Sequence, residues 1–282
     1  METEKLISTA LVAEALHVRQ SDSHKGDYGR ALLIAGSKGM MGAALLSARA
    51  CMRSGVGLLT VRVPECGYNI MQTGIPEAKC DCDPHPDHHS RILVPSDTEA
   101  VGIGPGLGQH PETHEALHRF LQSWQGPLVM DADALNILSQ HPDWLSLLPA
   151  GTVLTPHPGE MKRLGGDAAF LAEKHQLVVV LKGHETRIFC PAALQADTLP
   201  YVYVNRLHGN AGMAVGGSGD VLTGIILSLL AQHYPPQQAA FLGVWLHALA
   251  ADLALSDVHS MEALLPSDII ARLGAAFAES RK

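Results

Sequence analysis

Short apolar runs that stop abruptly at Gly, Pro, Asp or His alternate along this chain with longer stretches whose apolar residues recur at helical spacing. That alternation is the pattern of a parallel sheet covered by helices. Strand-like runs occupy residues 31–35, 58–63, 99–103, 127–130, 152–154 and 177–181. Helical spacing marks residues 8–16, 41–53, 112–123, 220–232, 237–256 and 267–279, and a short antiparallel pair is expected from 187–190 and 201–205. The reading is an α/β fold with a mostly parallel central sheet, and residues 1–282 form one domain, since no linker or repeat divides them. Residues 74–90 are expected to be a mobile surface loop. They contain CDCDPHPDHH, whose C-x-C spacing and Pro-Asp filler are unlike a structural zinc site.

The polar residues collect where the strands end, in AGSKG, GIGPGLG, MDADALN and LTPHPGE. In open α/β sheets ligands bind beyond the carboxyl ends of the strands, so these clusters predict one site on one edge. GGSGD, residues 216–220, stands directly before an apolar helix. Bare glycines admit a ligand to the backbone, and a helix start offers unpaired N–H groups to an anion. Asp220 there can accept a proton from a hydroxyl; the plainer reading makes Ser218 or Asp220 a helix cap, which leaves the three glycines unexplained.

The other motifs each carry two readings. GIGPGLG lacks the third glycine of a dinucleotide fingerprint and is either a ligand loop or a tight turn. His157, between two prolines, is either aimed at a ligand or incidental to a surface turn. In LKGHET, Lys182 can meet phosphate while Gly183 and Thr186 shape a nucleotide pocket, or the segment is simply a turn. Asp131 and Asp133 can orient hydrated magnesium or a ribose, although a helix-cap role fits them slightly better. His247 and Asp252 are read as packing.

Composition narrows the partners. The 282 residues are 46% hydrophobic and 17% charged, with 20 basic against 28 acidic side chains, so the formal net charge is −8. No basic stripe invites nucleic acid. The acidic N-terminus lacks a secretory signal, and the apolar runs at 221–231 and 177–181 fall short of the ~20 residues of a membrane span. Five irregularly spaced cysteines argue against a disulfide framework. A cytoplasmic protein with no membrane partner is expected.

Taken together, the stretch GDYGRALLIAGSKGMMGAALLSARACMRSGVGLLTV and the motifs IGPGLG, DADALN, LTPHPGEMKRL, LKGHET and GNAGMAVGGSGDVLTG resemble the NAD(P)HX dehydratases in order and spacing. The resemblance runs from about Gly26 to Asp252. It implies a three-layer α/β/α ribokinase-like fold and repair of the S-epimer of hydrated NADH and NADPH. ADP, or ATP, would be the co-substrate with Mg2+, giving AMP and phosphate when ADP is used. By motif, Ala43, Gly106 and His157 match positions that contact the hydrated dinucleotide. Lys182, Gly183, His184, Glu185, Thr186 and Gly219 match the nucleotide-binding positions, and Asp220 matches the acid at the reacting centre. The resemblance further implies a homo-oligomer, a homotetramer, and a separate NAD(P)HX epimerase as functional partner, because only some 25 residues precede the first motif. A thiazole or pyrimidine alcohol kinase of the same fold and a nucleotide-sensing module without turnover are the alternatives.

Overall fold

The apolar runs become strands covered on both faces, in a computed structural model that describes residues 3–194 and 201–282. From β1 (Thr3–Leu6) the chain passes through α1 (Thr9–Ala15), β2 (Arg30–Ile34), α2 (Met41–Arg53) and β3 (Leu58–Pro64). It continues through α3 (Tyr68–Gly74), β4 (Lys79–Asp83), β5 (Ala100–Ile103), α4 (Pro111–Ser123), β6 (Leu128–Met130) and α5 (Asp133–Gln140). Next come β7 (Val153–Leu154), α6 (Pro158–Arg163), α7 (Ala168–His175), β8 (Val178–Leu181), β9 (Thr186–Phe189) and β10 (Tyr201–Asn205). Three helices close the fold, α8 (Ser218–Ala231), α9 (Pro236–Val258) and α10 (Pro266–Glu279).

The ten strands form one sheet in the order β1-β10-β9-β8-β7-β6-β5-β2-β3-β4. Pairing is parallel except at β9, which runs against both β8 and β10. Side chains alternate across the sheet. Ala31 and Leu33 enter the apolar layer shared with α2, α8, α9 and α10, whereas Leu32 and Ile34 enter the layer shared with α4, α5, α6 and α7. The expected three-layer architecture is therefore present. The chain leaves β2 toward β3 and β5 toward β6, so strand order reverses between β2 and β5 and opens a crevice at their carboxyl ends.

Two expectations change. The 74–90 segment is largely ordered structure: β4 pairs in parallel with β3 at the sheet edge. Its KCDCD alternation turns the half-buried Cys80 and Cys82 toward the core layer, while Asp81 and Asp83 meet the buried guanidinium of Arg62. The paired charge, not hydrophobicity, holds this strand. α9, in turn, has the 23 residues and mean hydropathy of 1.6 that a membrane span needs, but 78% of that window is buried in the fold, as in a core helix.

The approach of α2 to α8 orients the glycine-rich segment. A Cβ on Gly224 would lie 2.1 Å from the Ser47 carbonyl oxygen, so only glycine permits this contact. Ser47 Oγ then donates to the Asp220 carbonyl at 2.9 Å. The small-residue face of α2, through Ala44, Ser47, Ala48 and Cys51, is buried inside the fold. Gly217 begins α8 at φ 96°, where a Cβ would also strike Leu46 at 2.5 Å. Gly216, by contrast, has nothing within 4 Å of an added Cβ. Gly224→Ala is expected to cost about 1–3 kcal/mol by overpacking, and Gly216→Ala less than about 0.5 kcal/mol. Urea unfolding measures both, and equal losses would refute the close helix contact.

Candidate functional site

Asp131, the first residue after β6, lies at the centre of the site. It is 1% exposed, with Lys182 Nζ 2.7 Å from Oδ1 and Thr223 Oγ1 donating to Oδ2 at 2.8 Å. These contacts tie the ends of β6 and β8 to α8. The next residue, Ala132, takes φ 49° and ψ −119°, an uncommon conformation for a residue with a Cβ. It occupies the cap position of α5 and no side chain caps that helix. The side-chain cap expected of Asp131 or Asp133 is thus absent, although Asp133 does stand in the first turn of α5 as a dipole-favoured acid. Asp133 accepts from Gly108 N at 2.9 Å and fastens the GIGPGLG loop to this corner.

Gly219 packs closely against the same pair. A Cβ there would lie 3.2 Å from Lys182 Nζ and 3.4 Å from Asp131 Oδ2. Asp220 follows in the first turn of α8. The helix dipole favours its carboxylate, but burial and then the charge of Asp131 outweigh the dipole and Lys182, and its pKa rises to about 6. Glu160 is also raised, first by burial, with Lys182 and the His157 backbone N–H opposing.

Asp131, Glu160, Lys182 and Asp220 line a cavity of about 780 Å³ at the carboxyl ends of the strands. His157, Gly183, His184, Thr186 and Gly219 line it too, so most of the expected site residues converge. His157 contributes a further role: its Nδ1 accepts from Gly159 N at 2.9 Å and Glu160 N at 3.3 Å, capping α6. Glu185 departs from the group and pairs with Arg206 at 3.0 Å. Ala43 and Gly106 lie outside this wall. They meet each other at the β2/β5 crevice, where a Cβ on Gly106 would be 3.0 Å from Ala43 Cβ and 2.7 Å from the Met40 carbonyl.

The sequence reading missed several wall residues. His247, read as packing, is buried and lines the wall with its Nε2 3.3 Å from Ser218 Oγ, and burial lowers its pKa to about 4. Asp252 accepts from Gly209 N and Asn210 Nδ2, each at 3.0 Å, holding the loop that leads into the glycine-rich segment. Asn205 is buried at the end of β10; its Nδ2 donates to the His208 carbonyl and its Oδ1 has no partner among the described residues. Glu160 stood in a quoted motif, and only its capping-box spacing from His157 could have signalled it. A second cavity, of about 800 Å³, opens at the amino ends of the strands around Arg19, Ser54 and Tyr234, without this set of carboxyls, ammonium and glycines.

Residues 31–273 match the model of the NAD(P)H-hydrate dehydratase family. The chain belongs to that family. It is 36% identical over 281 residues to the ADP-dependent (S)-NAD(P)H-hydrate dehydratase of Bacillus subtilis, covering 94% of this chain and 96% of the relative. It is 40% identical over 270 residues to the bifunctional NAD(P)H-hydrate repair enzyme of Vibrio cholerae, covering 90% of this chain and 51% of that protein. The chain therefore spans about half the length of the bifunctional relatives. A crystal structure of the B. subtilis ADP/ATP-dependent dehydratase, co-crystallised with ATP and Mg2+, superposes with TM-score 0.82 at 31% identity, covering 97% of each chain.

For this dehydratase-family chain, Asp220 sets a pH dependence. Its folded pKa lies above the ordinary value of 3.8. The stability associated with it is thus complete below 3.8 and lost as pH rises through about 6. Asp220→Asn is expected to melt a few degrees above the parent at pH 8, the gap narrowing as pH falls from 6 toward 4. Calorimetric melting across that range checks the sign, and a variant less stable at pH 8 would refute it.

Proposed function

We propose that this chain dehydrates the S-epimer of hydrated NADH and NADPH, consuming ADP or ATP. The observation that carries the reading is Asp220: a half-buried carboxyl with a pKa near 6, at a glycine-rich helix start and beside a lysine. At neutral pH it is mainly the carboxylate, with enough basicity to take a hydroxyl proton. The oxygen so freed attacks the terminal phosphorus of the nucleotide; the new O–P bond forms as the bond to AMP breaks when ADP is used. The backbone N–H groups of Gly217 and Gly219 at this helix start would meet the charge that develops on the phosphoryl group. Phosphate then departs with the C–O electron pair, and loss of a proton from the adjacent carbon restores the reduced nicotinamide ring.

The wall also suits an adenine nucleotide. Asn205 Oδ1, buried and unpartnered, offers an acceptor to an exocyclic amine. Ala43 and Gly106 at the crevice would receive the hydrated dinucleotide, with His157 between the two regions. Magnesium fits the oxygen donors present, Glu160 above all, whose raised carboxyl a dication would relieve; when bound, the ion neutralises the polyphosphate. The same reading takes residues 1–282 as one catalytic unit, cytoplasmic and homo-oligomeric, working beside an epimerase. The continuous sheet and the absence of disulfides among the five cysteines support parts of it.

Incubation with hydrated NADH, ADP and magnesium chloride is expected to restore reduced-nicotinamide absorbance and release phosphate and AMP. Asp220→Asn should lower turnover by about 10²–10⁴-fold while nucleotide still binds. A stable phosphorylated alcohol as the end product would overturn the reading in favour of a kinase. Chelation of the dication is expected to abolish turnover and magnesium to restore it; full activity in the chelated enzyme would remove the metal from the reaction.

A further inference from the structure

The histidine-rich segment after β4 lies outside the wall of the glycine-rich pocket. His85 and His88 face the amino end of α4, which carries His110 and Glu112. The His88 ring lies 3.7 Å from the His110 ring and 3.6 Å from the His85 ring, centroid to centroid. His88 Nε2 is 3.1 Å from Glu112 Oε2. One donor atom from each of His88, His110 and Glu112 lies within 4.8 Å of the other two. Ligands about 2.0–2.1 Å from a tetrahedral zinc ion stand roughly 3.4 Å apart. The His88–Glu112 pair already has that spacing, and His110 needs a shift of about 1 Å.

The backbone on either side of these donors is fixed. His89 is fully buried, with Nε2 3.0 Å from the Gly36 carbonyl and 3.2 Å from that of Ala35. Thr113 Oγ1 donates to the His89 carbonyl at 2.9 Å, which joins the two donor-bearing segments directly. Asp83 accepts from His85 N at 2.9 Å and from Ser90 Oγ at 2.7 Å. His88 itself is only 9% exposed.

We propose that His88, His110 and Glu112, with His85 alongside, bind one transition-metal dication of the zinc or nickel class. Imidazole-rich donor sets suit these ions, whereas magnesium prefers oxygen and water. The bound ion clips the segment after β4 onto α4. That segment also backs the dinucleotide side of the molecule: Lys38 N donates to the Asp87 carbonyl at 2.9 Å, and Ser37 Oγ donates to the Gly106 carbonyl at 2.9 Å. Binding has a cost. His110 Nδ1 accepts from Glu112 N at 3.3 Å, and ligation displaces this long cap or shifts the ring proton.

Isothermal titration of the tag-free chain with zinc chloride is expected to show one ion per chain with a micromolar dissociation constant, and magnesium chloride no such uptake. At a zinc concentration a hundredfold above that constant, the melting temperature should rise by about 5 °C. His88→Gln, His110→Gln and Glu112→Gln should each weaken binding at least tenfold; without metal, Glu112→Gln should melt like the parent and His110→Gln slightly below it, through the lost cap of α4. No stoichiometric uptake, or unchanged uptake in the variants, would overturn the proposal and leave adventitious binding to other histidines. If His88→Gln fails to fold, the exposed Glu112→Gln decides.

Discussion

The Asp131–Lys182 pair is the constraint around which the site is arranged. A carboxylate 1% exposed is tenable only with its charge met, and here an ammonium at 2.7 Å and the Thr223 hydroxyl at 2.8 Å meet it. Such pairs contribute little net stability against apolar replacement, but breaking one leaves a buried charge that costs about 3–5 kcal/mol. The pair therefore acts chiefly by fixing position. It aligns the ends of β6 and β8 with the first turns of α8, and Gly219 leaves the space in which the ammonium rests.

Asp220 is then placed by packing on the far side of its own helix. Gly224 lets α2 approach, and Ser47 binds the Asp220 carbonyl, so the backbone that carries the carboxyl is fixed between two helices. Two opposing effects act on it. The helix start favours the charged form by ~0.3–1 kcal/mol at exposed sites, while burial and Asp131 push the other way far enough to bring the pKa to about 6. Burial wins because α8 is sunk in the core along nearly its whole length. The same apolar run that makes the helix stable makes its acid basic enough for proton transfer.

Much of this was legible in the sequence. Buried parallel strands read as unbroken apolar runs, and the ligand edge followed from the glycines, prolines and acids at their ends. What was not legible depended on partners distant in the chain. KCDCD looked like loop because both its acids meet Arg62, some 20 residues earlier on β3. Asp131 and Asp133 looked like caps because their true partners, Lys182, Thr223 and Gly108, lie in other elements. Glu185 followed the nucleotide motif by position alone, and the arginines around it draw it out of the pocket. β1 was invisible for a related reason, since four residues become a strand only through β10.

The committed lysine has a consequence for how an anion is held. Among the described residues the pocket presents three carboxyls, those of Asp131, Glu160 and Asp220, against the single ammonium of Lys182. Lys182 is already paired with Asp131, so Glu160 and Asp220 remain to oppose a polyphosphate. The raised values at both acids reflect this surplus negative charge together with burial. Backbone N–H groups at a helix start supply only about half a positive charge, which cannot offset two carboxylates and a nucleotide. On the reading proposed above, a dication would balance the site, and Glu160, the acid given no proton to carry, would hold it. The two raised acids would then divide between metal and substrate.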